Sequence, residues 1–258
     1  MQKLDRRTFE KMILAVPAAC AAVPASNARR DSSRDSTAPP ATRQDSAQPW
    51  YVTNRRWTCF NAHFQAWDPE IASRFDAREI VRQVARSHAN VFWMFAMDHP
   101  GHCYFPTRVG KVHPNLKNPN FLAEIVEECR RAGIASVLYS TVSWNRFASH
   151  HHPEWVMKDN KNQTPEFDAV VGPILCYNSG YLDFMKTIGG ELAEFGPDGL
   201  FFDMMWYGMS GKVCYCANCQ PLFRKTYGID MPLEPTWDDA WRKWLEFRYE
   251  SNIRLAGN

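Results

Sequence analysis

Residues 90–97 read Asn-Val-Phe-Trp-Met-Phe-Ala-Met, and every residue after Asn90 is apolar. A continuous apolar run of this length is typical of a β-strand that is buried on both faces of a parallel sheet. Amphipathic stretches flank the run, because apolar residues recur at helical spacing over 75–89 and over 120–132. Together these patterns predict a helix–strand–helix unit at the centre of the fold.

The same alternation continues in both directions from this unit. Short apolar and aromatic runs predict three more strands, over 57–64, 134–142 and 200–206. Helical periodicity predicts further helical stretches over 179–195, 217–228 and 238–256. Four strands that alternate with helices predict a parallel sheet with helical crossovers.

Two α/β architectures satisfy this pattern, a doubly wound sheet and a (β/α)8 barrel of the TIM type. The sequence contains no Gly-x-Gly-x-x-Gly and no Gly-x-x-x-x-Gly-Lys-Ser/Thr motif, so it lacks the phosphate loops of nucleotide-binding α/β folds. Polar or amphipathic residues instead follow every predicted strand, as they do at the active rim of a barrel. These residues are Asn61, His63, Asp98, His99, His102, Ser143, Trp144, Asn145, Asp203 and Trp206. We therefore predict a TIM-type barrel.

The first 50 residues have the composition of an export signal and a tether. Arg6 and Arg7 are followed by Thr-Phe-Glu-Lys, which resembles the twin-arginine motif, and by an Ala-rich apolar run over 12–24. Residues 1–25 are therefore predicted to be a twin-arginine signal peptide, with a chance Arg pair or lipid attachment at Cys20 as the alternatives. Residues 26–50 hold almost no large apolar side chain, which predicts a disordered linker. The expected location is the periplasm or the cell exterior.

Residues 51–258 remain for the barrel domain, and they contain only four strand–helix units. A complete barrel has eight such units in about 250 residues, and no fifth strand follows the last predicted helix. We therefore expect this domain to be incomplete at its C-terminus. A half barrel exposes two sheet edges, so we expect these residues alone to be poorly soluble and inactive.

The charge balance restricts the partners of the protein. Thirty basic and 28 acidic residues give a formal net charge of +2, which offers no electrostatic support for binding nucleic acid. The apolar run near the N-terminus is shorter than the roughly 20 residues that a membrane span requires. The aromatic fraction of 14%, with 10 Trp, is typical either of large core residues or of a cleft that stacks on sugar rings.

Asp203 is the clearest chemical signal, because it lies in the apolar strand segment Gly-Leu-Phe-Phe-Asp over 199–203. A carboxylate in such a segment is costly to bury unless it is paired or functional. It predicts either a brace for a neighbouring loop or a nucleophile that faces an oxocarbenium-like transition state. Glycoside hydrolysis needs a second carboxyl group, and Glu154, Glu166 and the acidic residues after Asp203 do not distinguish themselves for that role.

Several segments in this order resemble the α-L-fucosidase-like glycosidases, and most of all the hypothetical glycosyl hydrolase 6 family, which is related to the family-29 fucosidases. The resemblance covers roughly residues 55–255 and rests on the segments 61–64, 98–99, 122–134, 138–144 and 199–203. It implies a barrel glycosidase in which Asp203 is the nucleophile. It also implies substrate contacts from Asn61, His63, Asp98, His99, Trp144 and Trp206, the two Trp side chains by stacking on the sugar.

Cys214, Cys216 and Cys219 form a Cys-x-Cys-x-x-Cys motif just after the fourth strand. Three thiols on one turn can converge on a tetrahedral zinc ion, and the segment around 214–228 also resembles the cysteine-bound zinc region of family-42 β-galactosidases. A fourth ligand must come from another loop, and the candidates are Cys103, which we take first, Cys176 and His102. Disulfides or free thiols are the alternatives, since an exported protein meets an oxidising compartment.

These observations support three functional hypotheses. The first is an exported glycosidase, α-L-fucosidase-like, that acts on a carbohydrate substrate with Asp203 as nucleophile and zinc in a structural role. The second is a non-catalytic carbohydrate-binding or zinc-clipped structural barrel fragment, and the third is a β-galactosidase-like glycosidase. Substitution of Asp203 separates catalysis from binding alone.

Overall fold

A computed structural model describes residues 48–64, 66–165, 172–205 and 214–256. All of them belong to one compact unit, Pro39–Asn258. The predicted signal peptide, nearly all of the predicted linker, Glu166 and Trp206 lie outside the described residues. No helix in the described ranges is long and apolar enough to cross a membrane.

The described chain alternates strands and helices as the sequence predicts. The strands are β1 (Trp57–Phe60), β2 (Val91–Met97), β3 (His102–Cys103), β4 (Lys111–Val112), β5 (Ala135–Thr141) and β6 (Gly199–Asp203). The α-helices are α1 (Trp50–Thr53), α2 (Ala77–Arg86), α3 (Phe121–Arg131), α4 (Arg146–His151), α5 (Tyr181–Glu194), α6 (Cys219–Tyr227) and α7 (Asp239–Ala256), and a 3-10 turn spans Pro153–Trp155.

The sheet orders its long strands as the chain does. Strand β1 pairs with β2, β2 with β5 and β5 with β6, and all three pairings are parallel. The short strands β3 and β4 continue the sheet from the end of β2, with β3 antiparallel to it. A doubly wound sheet reverses its strand order at a switch point, whereas this order has no reversal. The result is a mixed α/β fold with a parallel sheet.

The sheet is open in the described part of the chain. Strand β1 pairs there only with β2, and strand β6 only with β5. The edges carry exposed aromatic side chains, since Trp57 is 48% exposed and Phe201 is 39% exposed. A closed barrel is therefore not what the described residues form, and the truncated TIM-type barrel of the sequence analysis stays a prediction.

Local sequence signals account for the ends of several helices. Helix α2 begins after Asp76, whose side chain accepts a hydrogen bond from the backbone N–H of Glu79, as an N-cap does. Helix α6 ends at Gly228, which takes the left-handed conformation at φ 70° that glycine adopts without steric penalty. Helix α5 begins at Tyr181 and not at the predicted Ser179, whose hydroxyl instead donates to the carbonyl of Cys176.

The two faces of the sheet make different contacts. Side chains alternate between the faces of a strand, so the parallel register places Phe95, Tyr139 and Phe201 side by side on one face. The Phe95 and Tyr139 rings stack with centroids 3.9 Å apart, and the Tyr139 and Phe201 rings meet edge to face at 5.4 Å. The other face packs against helices through fully buried residues such as Leu138.

We expect Leu138→Ala to lower the free energy of unfolding by about 2–5 kcal/mol, because it removes buried methyl groups and leaves a cavity in the core. Leu138 is 0% exposed, whereas Leu245 on α7 is 43% exposed. The matched change Leu245→Ala should therefore lower the free energy of unfolding by much less, about 0.5 kcal/mol. Urea unfolding of both variants measures the difference, and equal losses would contradict the packing of this face.

Candidate functional site

The carboxyl ends of the four long strands meet at one edge of the sheet, as parallel strands require. His63 follows β1, His99 follows β2, Tyr139 lies on β5 and Asp203 is the last residue of β6. Three of these four residues, His63, His99 and Asp203, are among the site residues that the sequence predicts. The structure brings their side chains together through contacts that involve Tyr139.

A directed chain of hydrogen bonds ends on Asp203. The Tyr139 hydroxyl donates to Oδ2 of Asp203 at 2.9 Å, and Nε2 of His99 lies 3.0 Å from the same hydroxyl oxygen. A phenol has one hydrogen to donate, so His99 must donate to Tyr139 from Nε2. The Oδ1 atom of Asp203 accepts a further hydrogen bond from the backbone N–H of Met204 at 2.8 Å. The carboxyl group thus accepts a hydrogen bond on each of its two oxygens, which fixes its orientation.

Met204 holds an unusual backbone conformation next to this carboxyl group. Its φ is 59°, in the left-handed region that a bulky residue rarely adopts. The Met204 carbonyl accepts a hydrogen bond from the hydroxyl of Ser143, and the Tyr177 hydroxyl lies 3.4 Å from it. Backbone in a sparsely populated region persists only where its surroundings hold it, and these two hydroxyls provide that support.

Two imidazole rings lie over the same apolar floor. The rings of His63 and His99 have centroids 4.1 Å apart, and His63 also meets Phe95 edge to face at 4.4 Å. Burial lowers the pKa of His63, although the charges of Asp98 and Asp203 oppose this shift. Burial and the neighbouring His63 lower the pKa of His99 to about 4. Both rings are therefore neutral at pH 7, and each can donate and accept one hydrogen bond.

The remaining predicted contact residues have different surroundings. Asp98 is fully buried, and its carboxylate accepts a hydrogen bond from the backbone N–H of His102 at 2.7 Å. It therefore braces its own loop and is not offered at the surface. Trp144 is only 3% exposed and packs against His99 with ring centroids 5.3 Å apart, so it supports this imidazole. Asn61 is exposed just after β1.

Tyr139 is the functional residue that the sequence analysis missed. In sequence it is one aromatic residue within an apolar strand, which is typical of a core position. Burial and the hydrogen bond to Asp203 raise the pKa of its phenol, so it stays protonated and can donate. Its hydrogen bond to Asp203 is possible because Tyr139 pairs with Phe201 and Thr141 pairs with Asp203. A strand register of this kind cannot be predicted from a single sequence.

Several carboxylates that follow Asp203 in the chain are engaged on the surface of the described part. Asp230 pairs with Arg224, and Asp238 accepts from the backbone N–H of Trp241 at the start of α7. Earlier in the chain, Glu154 is exposed and pairs with His152 at 3.0 Å. These three carboxylates are thus engaged away from the strand ends, whereas the hydrogen bonds that start at His99 lead to Asp203.

Four buried cysteine thiols gather beside the segment that follows β6. The Sγ atoms of Cys176, Cys214, Cys216 and Cys219 all lie within 4.8 Å of one another, and Cys176 Sγ is 3.4 Å from Cys219 Sγ and 3.6 Å from Cys216 Sγ. Tetrahedral coordination with bonds of about 2.3 Å places thiolates roughly 3.8 Å apart. The cluster could therefore hold a metal ion.

The fourth thiol of this cluster corrects an expectation. The sequence analysis took Cys103 first, but the structure brings Cys176 to the other three sulfurs. Cys103 is buried on β3, where its Sγ lies so close to Gly110 that an added Cβ at Gly110 would approach it to 2.8 Å. The reason for the difference is topological, because the loop that leads into α5 returns to α6, whereas β3 is paired into the sheet.

Comparison with known families and structures adds independent information. The family model described as hypothetical glycosyl hydrolase 6 matches residues 76–204, half of the chain. This range includes β2, β5, β6 and the Tyr139–Asp203 pair. No curated protein sequence matches the chain.

A solved fucosidase structure shares the fold, and two further solved structures show weaker similarity. The α-L-fucosidase isoenzyme 2 from Paenibacillus thiaminolyticus superposes with a TM-score of 0.63 and 22% identity, over 78% of this chain and 30% of that one. A hypothetical protein from Ruminiclostridium thermocellum gives a TM-score of 0.46 with 13% identity, over 79% of this chain and 94% of that one. The Thermotoga maritima α-fucosidase in complex with fucose gives 0.40 with 17% identity, over 52% of this chain and 29% of that one. The first similarity concerns the fold alone, the other two are too weak to bear on function, and the chain spans about a third of the length of the Paenibacillus fucosidase.

We expect the protein to lose stability as the pH falls from about 6.5 to about 4, in part through His99. In the unfolded chain His99 takes up its proton near its ordinary pKa of 6.5, whereas in the folded protein it does so only near 4. Between these values the unfolded state binds more protons, so a lower pH favours unfolding. Urea unfolding at pH 7 and pH 5 should show a smaller loss for His99→Gln than for the parent. The exposed His150→Gln is the control, and a loss as large in His99→Gln as in the parent would contradict the shift.

Proposed function

Because the chain belongs to the hypothetical glycosyl hydrolase 6 family, we propose that it forms part of a glycoside hydrolase in which Asp203 is the nucleophile. The observation that carries this proposal is the pair of hydrogen bonds from Tyr139 and Met204 to the two oxygens of Asp203. A nucleophilic carboxylate must be ionised and must be aimed at the anomeric carbon. Hydrogen bonds on both oxygens serve the second requirement, because they fix the orientation of the carboxyl group.

The groups around Asp203 suit a neutral sugar ring. Neutral imidazoles at His63 and His99 can hydrogen-bond with sugar hydroxyl groups, His99 only as an acceptor because its Nε2 proton is donated to Tyr139. The aromatic ring of Phe201 is 39% exposed and offers an apolar surface beside Tyr139, the kind of surface on which the C–H face of a sugar packs. The substrate we propose is a terminal sugar, α-L-fucoside first, with a β-galactoside as the alternative.

Each member of the site has a defined role in this mechanism. Asp203 attacks the anomeric carbon, or stabilises the positive charge that develops there, as the leaving-group oxygen is protonated by a second carboxyl group. Tyr139 holds Asp203 in place and keeps its own proton, since its pKa is raised. A retaining enzyme holds the two carboxyl groups about 5–5.5 Å apart, so the position of the second group decides the stereochemical outcome.

Export by the twin-arginine pathway is the location that fits this proposal. The N-terminal Arg6–Arg7 pair, the Ala-rich run after it and the polar stretch over 26–50 support it. This pathway carries folded proteins, so a metal ion can be loaded before export. The proposed destination is the periplasm or the exterior of the cell, where carbohydrate polymers are met.

Zinc is the ion that we propose for the four-cysteine cluster, in a structural role. Soft thiolate ligands select zinc or copper(I) over hard cations. Four protein thiolates complete a tetrahedral zinc site and leave no open position for substrate or water. The proposed zinc is therefore part of the fold and not a catalytic Lewis acid.

Replacement of Asp203 tests the proposed function. Asp203→Gly should reduce the hydrolysis of an activated aryl α-L-fucoside by at least about a thousandfold, since it removes the nucleophile. Azide should restore part of the turnover in that variant, because a small anion can occupy the vacated space and attack the sugar. Full turnover in Asp203→Gly would refute the assignment.

A matched control lies on the same strand segment. Asp198, just before β6, accepts a hydrogen bond from the backbone N–H of Ser136 at 2.9 Å and lies at the opposite end of the strand from Asp203. Asp198→Gly should lose stability but should keep its turnover per folded molecule, with no gain from azide. If the parent binds sugars but hydrolyses none of a panel of aryl glycosides, a non-catalytic carbohydrate-binding module is the better account.

A further inference from the structure

We propose that the four-cysteine cluster is a metal site that positions Asp203, and that it acts through Tyr177. The proposal rests on the proposed function in one respect, the role of Asp203 as nucleophile. The metal site, and its restraint of the backbone after β6, are argued from contacts that do not involve catalysis. Three observations carry them: the construction of the site, its second layer of hydrogen bonds and its connection to Met204.

The site joins segments that are distant in sequence. Cys176 lies in the connection between β5 and α5, Cys214 and Cys216 lie after β6, and Cys219 is the first residue of α6. All four side chains are buried, with Cys219 at 0% and Cys216 at 4% exposure. The four thiols are polarisable, and their sulfur–sulfur distances are close to the ligand–ligand distance of a tetrahedral zinc site. A shared soft metal ion explains both their burial and their spacing.

A second layer of hydrogen bonds supports the sulfurs. The side-chain amide of Asn178 donates to Cys219 Sγ at 3.3 Å, and the Asn178 backbone N–H donates to Cys176 Sγ at 3.4 Å. Donors of this kind stabilise thiolates and orient the ligands of a metal. The same Asn178 also accepts a hydrogen bond from Arg254 on α7 at 3.0 Å, which brings a positive charge towards a site that would be anionic.

The residue after Cys176 connects the cluster to the candidate active site. The Tyr177 side chain is fully buried, and its hydroxyl oxygen lies 2.6 Å from Ser143 Oγ. Ser143 donates to the carbonyl of Met204, and the Tyr177 hydroxyl also lies 3.4 Å from that carbonyl oxygen. Met204 in turn donates its backbone N–H to Asp203. A metal ion bound to Cys176 therefore restrains Tyr177, the first residue of the hydrogen-bonded chain that leads through Ser143 and Met204 to Asp203.

The conformation of Met204 explains why such a support is needed. A left-handed φ of 59° is unfavourable for this residue and relaxes unless neighbouring groups hold it. If Met204 relaxed, its N–H would turn away from Oδ1 of Asp203. Because the site with four thiolates has no open coordination position, the metal does not touch substrate, and Tyr177 is a positioning residue.

The first experiment measures metal content. Protein purified without added metal and analysed by inductively coupled plasma mass spectrometry should contain about one equivalent of zinc per chain, as a single four-thiolate site requires. Cys176→Ala should lose this zinc, whereas Cys103→Ala, another buried cysteine, should retain it. Less than half an equivalent in the parent, or full retention in Cys176→Ala, would overturn the metal site.

The second experiment separates positioning from folding with two conservative changes. Tyr177→Phe removes the hydroxyl that lies against Ser143. Tyr215 is also adjacent in sequence to the proposed metal ligands, and Tyr215→Phe removes a hydroxyl that donates to the carbonyl of Pro232 at 2.6 Å. Both variants should keep one equivalent of zinc. Tyr177→Phe should lower kcat by about fivefold or more with KM little changed, the effect of one lost hydrogen bond on the transition state. Tyr215→Phe should leave kcat unchanged, and equal effects of the two changes would overturn the role of Tyr177.

Hydrogen exchange gives a readout that does not depend on activity. Peptides that cover 199–205 should exchange about fivefold faster in Tyr177→Phe, and at least as fast in Cys176→Ala, because the support of Met204 is lost. They should exchange at the parent rate in Tyr215→Phe. If no glycoside is hydrolysed by the parent but these exchange rates follow the expected order, the proposed function fails and the positioning by the metal site stands. Unchanged exchange in Tyr177→Phe would overturn the positioning itself.

Discussion

The hydrogen bond from Tyr139 to Asp203 is the interaction on which the rest of the site depends. It exists because β5 and β6 pair in a register that aligns Tyr139 with Phe201 and Thr141 with Asp203. The same register carries the aromatic floor, in which Phe95, Tyr139 and Phe201 lie side by side on one face. A shift of one residue in this pairing would turn the face over and would remove both the floor and the carboxylate.

Burial decides the electrostatic character of the site. The neighbouring imidazoles are kept neutral by desolvation, with the pKa of His99 lowered to about 4, although carboxylates lie nearby. A neutral His99 can donate to Tyr139, and Tyr139 can then donate to Asp203. Among the described residues, this chain of hydrogen bonds ends on the Asp203 carboxyl group, which accepts on both of its oxygens. Such an arrangement suits the stabilisation of a developing positive charge.

The connection after β5 links the two clusters of this edge of the sheet. It carries Cys176, which faces the other three thiols, and Tyr177, which faces Ser143 and Met204. The two residues are neighbours in sequence but contact different groups, so one short segment can serve a metal site and an active site at once. This geometry explains how a closed, non-catalytic metal site can still influence a carboxylate that it does not touch.

The alternation of strands and helices and the position of Asp203 at a strand end follow from the amino-acid sequence alone. Hydrophobic periodicity is a local property, so α2, α3, α5 and the strands β2 and β5 were predictable to within a few residues. Strands β3 and β4 have two residues each, too few for any periodicity to show. Strand β1 ends at Phe60, before the polar Asn61, and β6 ends at Asp203, before Met204 takes its left-handed conformation.

Which distant residues come into contact depends on the tertiary structure. Tyr139 joined the site through strand register, Cys176 replaced Cys103 through the path of the loop into α5, and Asp98 turned inward to brace its own loop. The first two of these outcomes depend on contacts between residues far apart in the chain, 64 positions for Tyr139 and Asp203 and 43 for Cys176 and Cys219. Such contacts form because the packing of the sheet and its helices as a whole lowers the free energy of the fold. A local pattern of residues does not contain this information.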